Sequence, residues 1–156
     1  MLNPGAAAPE FELTGLQGGK WALADALKEG PVAIVLFKIG CPTCQFTFPF
    51  LDRIAKARRP ADGFRITAVS QDDAGGTRQF IDRLSPSVST VLDGPGYPVT
   101  KAFQVNYVPS VFVVEADGKI SFSAVGFEKK AIEELGRRAG VPPFLAGEEV
   151  PEYRPG

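Results

Sequence analysis

Hydrophobic and polar positions alternate at the start of the chain in the pattern of a β-hairpin. Residues 9–13 alternate between polar and apolar side chains, and a Gly18-Gly19 turn separates them from a second predicted strand over residues 20–23. The next segment, residues 31–37, is continuously apolar and rich in β-branched side chains, which is typical of a strand covered on both faces. The chain is therefore predicted to begin with a hairpin and to continue into a buried central strand.

The period of the pattern changes to that of a helix directly after Cys41. Phe46, Phe50 and Ile54 recur at helical spacing, and Pro49 lies inside the predicted helix. Because proline lacks an amide donor and crowds the preceding turn, Pro49 predicts a kink in this helix. Cys41 thus lies at the predicted junction between the central strand and a helix.

The second half of the chain alternates between short strands and helices. The predicted elements after the Cys41 helix are, in order, a strand over residues 64–69, a helix capped by Thr77, a strand over 89–92, a helix over 98–103, strands over 111–115 and 119–124, and a helix over 129–138. The Asp117-Gly118 pair is a strong two-residue hairpin signal. Strands separated by helices predict parallel neighbours, and the hairpin adds an antiparallel edge. The predicted fold class is therefore α/β, with a central mixed sheet flanked by helices on both faces.

The length of 156 residues is that of one ordinary domain. We assign residues 1–140 to this domain and residues 141–156 to a proline-rich C-terminal tail. The prolines of the tail are Pro142, Pro143, Pro151 and Pro155. Because terminal segments of this kind are often poorly ordered, we expect the tail to be extended or mobile, as either a docking element or a disordered end.

Composition and charge narrow the classes of partner. Hydrophobic residues make up 44% of the chain and charged residues 22%, which is typical of a globular domain. The formal net charge of −1 gives no electrostatic reason to expect a nucleic acid or an anionic membrane as partner. No apolar run approaches the roughly 20 residues that span a bilayer. Residues 1–6 lack the basic and apolar regions of a signal peptide, so the expected location is the cytoplasm.

The residue types that are missing narrow the chemistry further. The chain has no histidine and only two cysteines, Cys41 and Cys44. Imidazole-based catalysis and His-ligated metal are therefore excluded, and a structural zinc site would need four Cys or His ligands. We expect no metal and no cofactor. The candidate chemistry rests on the two thiols, whose C-x-x-C spacing after a buried strand is typical of a redox pair.

The predicted position of Cys41 at a helix start favours its thiolate form, because the first amides of a helix lack intrahelical partners. The helix dipole alone supplies only about 0.3–1 kcal/mol, whereas lowering a thiol pKa from about 8.5 to about 7 needs about 2 kcal/mol. Direct N–H···S hydrogen bonds, the thiol of Cys44 and the ammonium of Lys38 are the candidates for the difference. We expect Cys41 to be the nucleophile and Cys44, one helical turn later and more buried, to resolve the mixed disulfide.

Two motifs resemble the thioredoxin-like superfamily: Gly-Cys-Pro-Thr-Cys at residues 40–44 and Tyr-Val-Pro-Ser-Val-Phe at residues 107–112. More narrowly, the chain resembles the redoxin branch, which holds alkyl hydroperoxide reductase/thiol-specific antioxidant-like proteins and thiol reductases of cytochrome c maturation. The likeness runs from about residue 5 to residue 138. It implies a thioredoxin-like fold with a cis peptide bond between Val108 and Pro109 that faces the cysteines. The backbone of Val108 would then pair with a substrate strand.

The chain departs from this family pattern at positions that often handle protons. Val35 occupies the position of the buried aspartate of thioredoxins, and Thr47 occupies that of a glutamate common in the maturation-type reductases. Residues 39–40, Ile-Gly, replace the tryptophan that often precedes the first cysteine. Asp72 or Asp73, at the predicted end of the neighbouring strand, is a candidate substitute for the missing carboxylate.

Three classes of function fit these residues to different degrees. The first is thiol–disulfide exchange with protein or small-molecule thiols and disulfides. The second is an antioxidant thiol peroxidase, with Cys41 peroxidatic and Cys44 resolving. Peroxiredoxins, however, typically carry Thr or Ser three residues before the reactive cysteine and Pro four residues before that, where this chain has Lys38 and Ile34. The third is a non-enzymatic redox sensor or metal-binding module, for which the sequence offers no specific signal. Exchange is therefore the preferred prediction.

Overall fold

The computed structural model describes residues 1–156 and contains one main β-sheet. Its strands are β1 (Glu12–Gly15), β2 (Lys20–Ala22), β3 (Val32–Phe37), β4 (Arg65–Ser70), β5 (Ser89–Leu92), β6 (Ser110–Val114) and β7 (Ile120–Val125), and β8 (Phe127–Glu128) and β9 (Tyr153–Arg154) form a separate pair. The helices are α1 (Leu23–Leu27), α2 (Pro42–Ala57), α3 (Ala74–Leu84), α4 (Pro98–Ala102) and α5 (Lys129–Ala139). No helix is both long enough and apolar enough to cross a membrane.

The seven strands of the main sheet follow the order β2-β1-β5-β4-β3-β6-β7. Strand β3 lies between a parallel and an antiparallel neighbour, with Val35 opposite Ala68 of β4 and Val111 of β6. Strands β1 and β2 form an antiparallel hairpin, as do β6 and β7. The predicted mixed sheet and its N-terminal hairpin are confirmed.

Both faces of β3 are covered, as its continuous apolar run predicts. Val32, Ile34 and Leu36 belong to a cluster on the face covered by α1 and α4. Val35 and Phe37, which point the other way because side chains alternate along a strand, join a larger cluster with residues of α2, α3 and α5. Every residue of β3 is fully buried, so this strand is the centre of the core.

The structure differs from the sequence-based prediction at several local points. Strand β1 spans Glu12–Gly15 rather than residues 9–13, and Leu23 begins α1 rather than ending β2. The N-cap of α3 is Asp73, whose side chain accepts from the Gly76 amide, whereas Thr77 lies inside the helix with its hydroxyl 2.6 Å from that of Ser70. Strand β6 is antiparallel to β3 although a helix precedes it, because the five-residue α4 does not form a full crossover between parallel strands.

The segment 141–156 lies against the domain rather than projecting from it. Strand β9 pairs with β8, and the ring of Phe144 lies 5.1 Å from that of Phe50 on α2. Arg53 of α2 binds Glu148 through its two terminal guanidinium nitrogens, at 2.8 and 3.0 Å. Because these contacts hold the segment, its path follows the surface of α2.

Candidate active site

Cys41 occupies the N-cap position of α2. Its backbone is extended, with φ −84° and ψ 114°, and Pro42 follows as the first helical residue, a position that needs no amide donor. The amide of Cys44 donates a hydrogen bond to Sγ of Cys41 across 3.1 Å. The sulfur thus takes the place of the side-chain oxygen that usually caps a helix.

The two cysteines have opposite environments one helical turn apart. Cys41 is half-buried, whereas Cys44 is fully buried among core residues. Burial raises the pKa of the Cys44 thiol far above its usual range, and a hydrogen bond with the Cys41 side chain raises this pKa further. A backbone hydrogen bond with Lys38 acts in the opposite direction on the same pKa. At neutral pH, Cys44 therefore holds its proton.

The loop before β6 contacts the side chain of Cys41. The peptide bond between Val108 and Pro109 is cis, and Sγ of Cys41 donates a hydrogen bond to the carbonyl oxygen of Val108 across 3.5 Å. Val108 belongs to no helix or strand, and neither its amide nor its carbonyl forms a backbone hydrogen bond. Pro109 is buried, and its carbonyl accepts from the amide of Gly126. The structure thus brings Cys41, Cys44, Val108 and Pro109 together.

The similarity to known proteins extends over the residues of this site. The family model described as Redoxin matches residues 3–137. The chain belongs to the redoxin family. It is 24% identical over 130 residues to the thiol-disulfide oxidoreductase ResA of Bacillus anthracis, covering 83% of this chain and 73% of that protein. It is 26% identical over 126 residues to the thiol:disulfide interchange protein DsbE of Escherichia coli strain K12, covering 78% of this chain and 65% of that protein.

A solved structure shows the same fold. The crystal structure of a putative thiol:disulfide interchange protein DsbE from Chlorobium tepidum superposes with a TM-score of 0.74 at 25% sequence identity. The match covers 88% of this redoxin and 96% of that chain. The predicted thioredoxin-like fold and the predicted redoxin branch are confirmed.

The two carboxylates that the sequence offered as proton handlers have different positions in this redoxin. Asp72 accepts a hydrogen bond from the amide of Ile39 across 2.8 Å, so it lies against the loop that leads to Cys41. Its charge also contributes to the raised pKa of Cys44. Asp73 instead accepts from Gly76 and caps α3. Only Asp72 of this pair therefore acts on the site.

The positions that carry proton handlers in related families hold groups that do not titrate near neutral pH. Val35 is fully buried in the larger core cluster. Thr47 is buried on α2, and its hydroxyl donates to the carbonyl of Thr43 across 2.7 Å. Neither position 35 nor position 47 therefore supplies a carboxylate to the buried Cys44. No group of three or more His, Cys, Asp or Glu side chains is arranged to hold a metal ion.

One contact at the site has no counterpart in the sequence analysis. The hydroxyl of Thr43, between the two cysteines, donates to the carbonyl of Pro155 across 2.6 Å. The proline content of residues 141–156 predicts an extended backbone, but nothing in that composition indicates where the backbone lies. The tail therefore enters the candidate site without a signal in the sequence.

Proposed function

We propose that this redoxin is a thiol–disulfide oxidoreductase in which Cys41 is the nucleophile and Cys44 the resolving thiol. The observation that carries the proposal is the contrast between the two sulfurs. Cys41 is accessible and accepts an amide hydrogen bond, whereas Cys44 is buried and keeps its proton. The names of ResA and DsbE, a thiol-disulfide oxidoreductase and a thiol:disulfide interchange protein, support the same activity.

The reaction takes place in two exchanges. The Cys41 thiolate attacks one sulfur of a substrate disulfide, forming a mixed disulfide and releasing the other substrate sulfur as a thiolate. Cys44 then loses its proton, which neutralises a leaving substrate thiolate, and attacks Sγ of Cys41. The second substrate sulfur is released as the Cys41–Cys44 disulfide forms. The substrate gains two electrons and the protein loses two; the reverse sequence oxidises a dithiol.

Val108 and Pro109 are proposed to bind the substrate backbone beside Cys41. The amide and carbonyl of Val108 take part in no backbone hydrogen bond of the protein, and proline has no amide to offer in competition. An extended substrate segment can therefore pair with Val108 as an added strand would pair with a sheet edge. Protein disulfides, which present such segments, are the proposed substrate class.

The direction of exchange depends on the redox potential of the Cys41–Cys44 pair. Proteins with related dithiol centres range from about −270 to about −120 mV, which separates reductants from oxidants. A cytoplasmic location, which the proposal retains, is consistent with a reductant because cytosolic thiols are kept reduced. Cell fractionation tests the location, and equilibration with glutathione buffers tests the potential.

The proposed function is tested by the dithiothreitol-driven reduction of a protein disulfide such as that of insulin. The wild-type chain should raise the rate well above that of dithiothreitol alone, and Cys41→Ser should abolish the increase. Thr14→Ser, a conservative change on β1 away from the site, is a matched control and should leave the rate unchanged. Activity that survives Cys41→Ser would contradict the proposal.

A further inference from the structure

Residues 155–156 lie directly against the groups that surround Cys41. The carbonyl of Pro155 accepts from the hydroxyl of Thr43, which is itself buried. Gly156 approaches the carbonyl oxygen of Val108 so closely that a Cβ at position 156 would collide with it. That same oxygen accepts the hydrogen bond from Cys41. The chain thus places its own extended backbone where the proposed substrate backbone would lie.

The approach of this segment depends on strand pairing and on one glycine. In the β8–β9 pair, Arg154 lies opposite Phe127, and the amide of Lys129 donates to the carbonyl of Glu152 across 2.9 Å. A Cβ at Gly126 would lie only 2.6 Å from the carbonyl oxygen of Arg154. Only glycine at position 126 allows the two backbones to come this close, and its φ of +75° is also one that glycine adopts without strain.

Within residues 153–156, the side chain of Arg154 makes a charged contact with α2. Its guanidinium carbon lies 4.5 Å from the centre of the Phe46 ring, in the geometry of a cation–π interaction. Phe46 is half-buried on α2, and its ring packs against that of Phe127 at 5.0 Å. A cationic side chain and an extended backbone are therefore recognised together on one surface.

We propose that the surface formed by Thr43, Phe46, Val108 and β8 is the docking surface for an extended, cationic segment of the substrate. Residues 153–156 are the intramolecular occupant of this surface, and a substrate must displace them. The inference rests on the proposed exchange function, because it identifies the substrate segment that lies beside Cys41. It goes further in assigning a charge preference and a competing segment of the chain itself.

The tail, residues 141–156, is held by two separate sets of contacts, and only the downstream set must break for this displacement. Upstream, Glu148 is bound by both nitrogens of Arg53, and Phe144 packs on Phe50. Downstream, the segment is attached by a two-residue strand pair, the backbone hydrogen bond and ion pair between Lys129 and Glu152, the Arg154–Phe46 contact and the Thr43 hydrogen bond. Residues 153–156 can therefore leave while residues 141–150 stay in place. A tethered segment competes at a high effective concentration, so weakening it should be visible in substrate affinity.

The first test assays variants of the 156-residue chain on peptide disulfides that differ in charge. Arg154→Ala removes the cation over Phe46, and Gly156→Ala introduces the collision with Val108. Both should lower KM several-fold for a peptide whose cysteine is flanked by arginine, with kcat nearly unchanged. Glu149→Ala, an exposed position of the same tail, is the matched control and should behave as wild type. If both tail variants are active and their KM is unchanged, residues 153–156 do not compete with the substrate, and the proposal is overturned.

The second test does not depend on exchange activity. A fluorescent peptide with the sequence of residues 150–156 should bind Arg154→Ala several-fold more tightly than it binds the wild-type chain, as measured by anisotropy. The same peptide with alanine in place of its arginine should bind more weakly to either protein. Equal binding of the two peptides would overturn the charge preference. If exchange is absent in every variant but this pattern of binding is found, the proposed function fails while the docking surface stands.

Discussion

The amide of Cys44 donates a hydrogen bond to the sulfur of Cys41, yet the two thiols of this redoxin differ sharply in exposure. One helical turn carries the chain from an N-cap position at the surface to the centre of the core. Burial opposes a negative charge on the inner sulfur, that of Cys44. The order of the two chemical steps follows from this contrast, because the exposed sulfur meets the substrate first.

The first prediction concerns which cysteine is captured by substrate. Cys44→Ser should accumulate a mixed disulfide through Cys41, because the resolving thiol is missing and the covalent intermediate cannot be released. Mass spectrometry of proteolytic fragments, after incubation with a disulfide-containing peptide, identifies the linked residue. Cys41→Ser is the control and should form little adduct, since Cys44 is fully buried. Capture through Cys44 would reverse the proposed roles.

The second prediction concerns the pH dependence of stability in the reduced protein. The folded state raises the pKa of Cys44, whereas the unfolded chain releases this proton near the ordinary thiol value of about 8.5. Above that pH the unfolded state binds fewer protons than the folded state, so the free energy of unfolding must fall as pH rises. The fall approaches about 1.4 kcal/mol per pH unit once the unfolded thiol is ionised.

Urea unfolding of the reduced protein between pH 7 and pH 10 measures this slope. Cys44→Ala provides the reference, because the variant lacks this thiol and retains every other titratable group of the chain. The difference between the two curves should be flat below about pH 8 and should then decline. Parallel curves across the whole range would contradict a raised pKa for Cys44.

The parts of this structure that were predictable from sequence are those that local patterns determine. The continuous apolar run of residues 32–37 indicates a strand buried on both faces, and β3 is such a strand. The spacing of Cys41 and Cys44 after it places one sulfur at a helix start and the other inside. In both cases the information lies within a few consecutive residues.

The features that were not predictable depend on contacts between distant residues. Thr77 is of a residue type that often caps helices, but its hydroxyl forms a hydrogen bond with that of Ser70, and Asp73 caps α3 instead. The only sequence signal of residues 141–156 is their proline content. Their position could not be predicted from it, because that position depends on Arg53, Phe50 and other residues far away in sequence. Propensity describes how such a segment can bend; it contains no information on what the segment touches.

The third prediction separates two roles of Asp72. Asp72→Asn keeps an oxygen that can accept from the amide of Ile39 and removes the negative charge. Because that charge contributes to the raised pKa of Cys44, the variant should form the Cys44 thiolate at lower pH, and the resolving step should be roughly a few-fold faster at neutral pH. Stopped-flow measurement of mixed-disulfide decay reports the step. A slower step would instead show that Asp72 accepts the proton of Cys44.

The fourth prediction distinguishes exchange from peroxidase activity. The hydrogen-bond partners of the Cys41 sulfur are the amide and the thiol of Cys44 and the carbonyl of Val108. None of them is a threonine hydroxyl or a guanidinium that could polarise a peroxide bond. We expect the reduced protein to lose thiols to hydrogen peroxide at about the rate of a free thiolate in solution. A rate far above that value would make this redoxin a peroxidase, and Cys41→Ser should then abolish it.

The fifth prediction concerns Asp93, whose buried side chain holds the start of α4. Its two carboxylate oxygens accept from the amides of Val99 and Thr100 and from the hydroxyl of Thr100, at 2.8, 2.8 and 2.6 Å. These bonds satisfy the first amides of α4, after which the chain leads through residues 104–107 to Val108. Asp93→Ala leaves the amides of Val99 and Thr100 without their acceptor and should lower the free energy of unfolding by about 2–4 kcal/mol.

Asp93→Asn is the matched variant, because it keeps one acceptor oxygen and should lose less stability than Asp93→Ala. Since α4 positions the loop and does not touch Cys41, both variants should raise KM for a protein disulfide more than they lower the alkylation rate of Cys41 by iodoacetamide. Equal losses in the two measurements would indicate general unfolding. A change in neither would show that Asp93 stabilises α4 without positioning Val108.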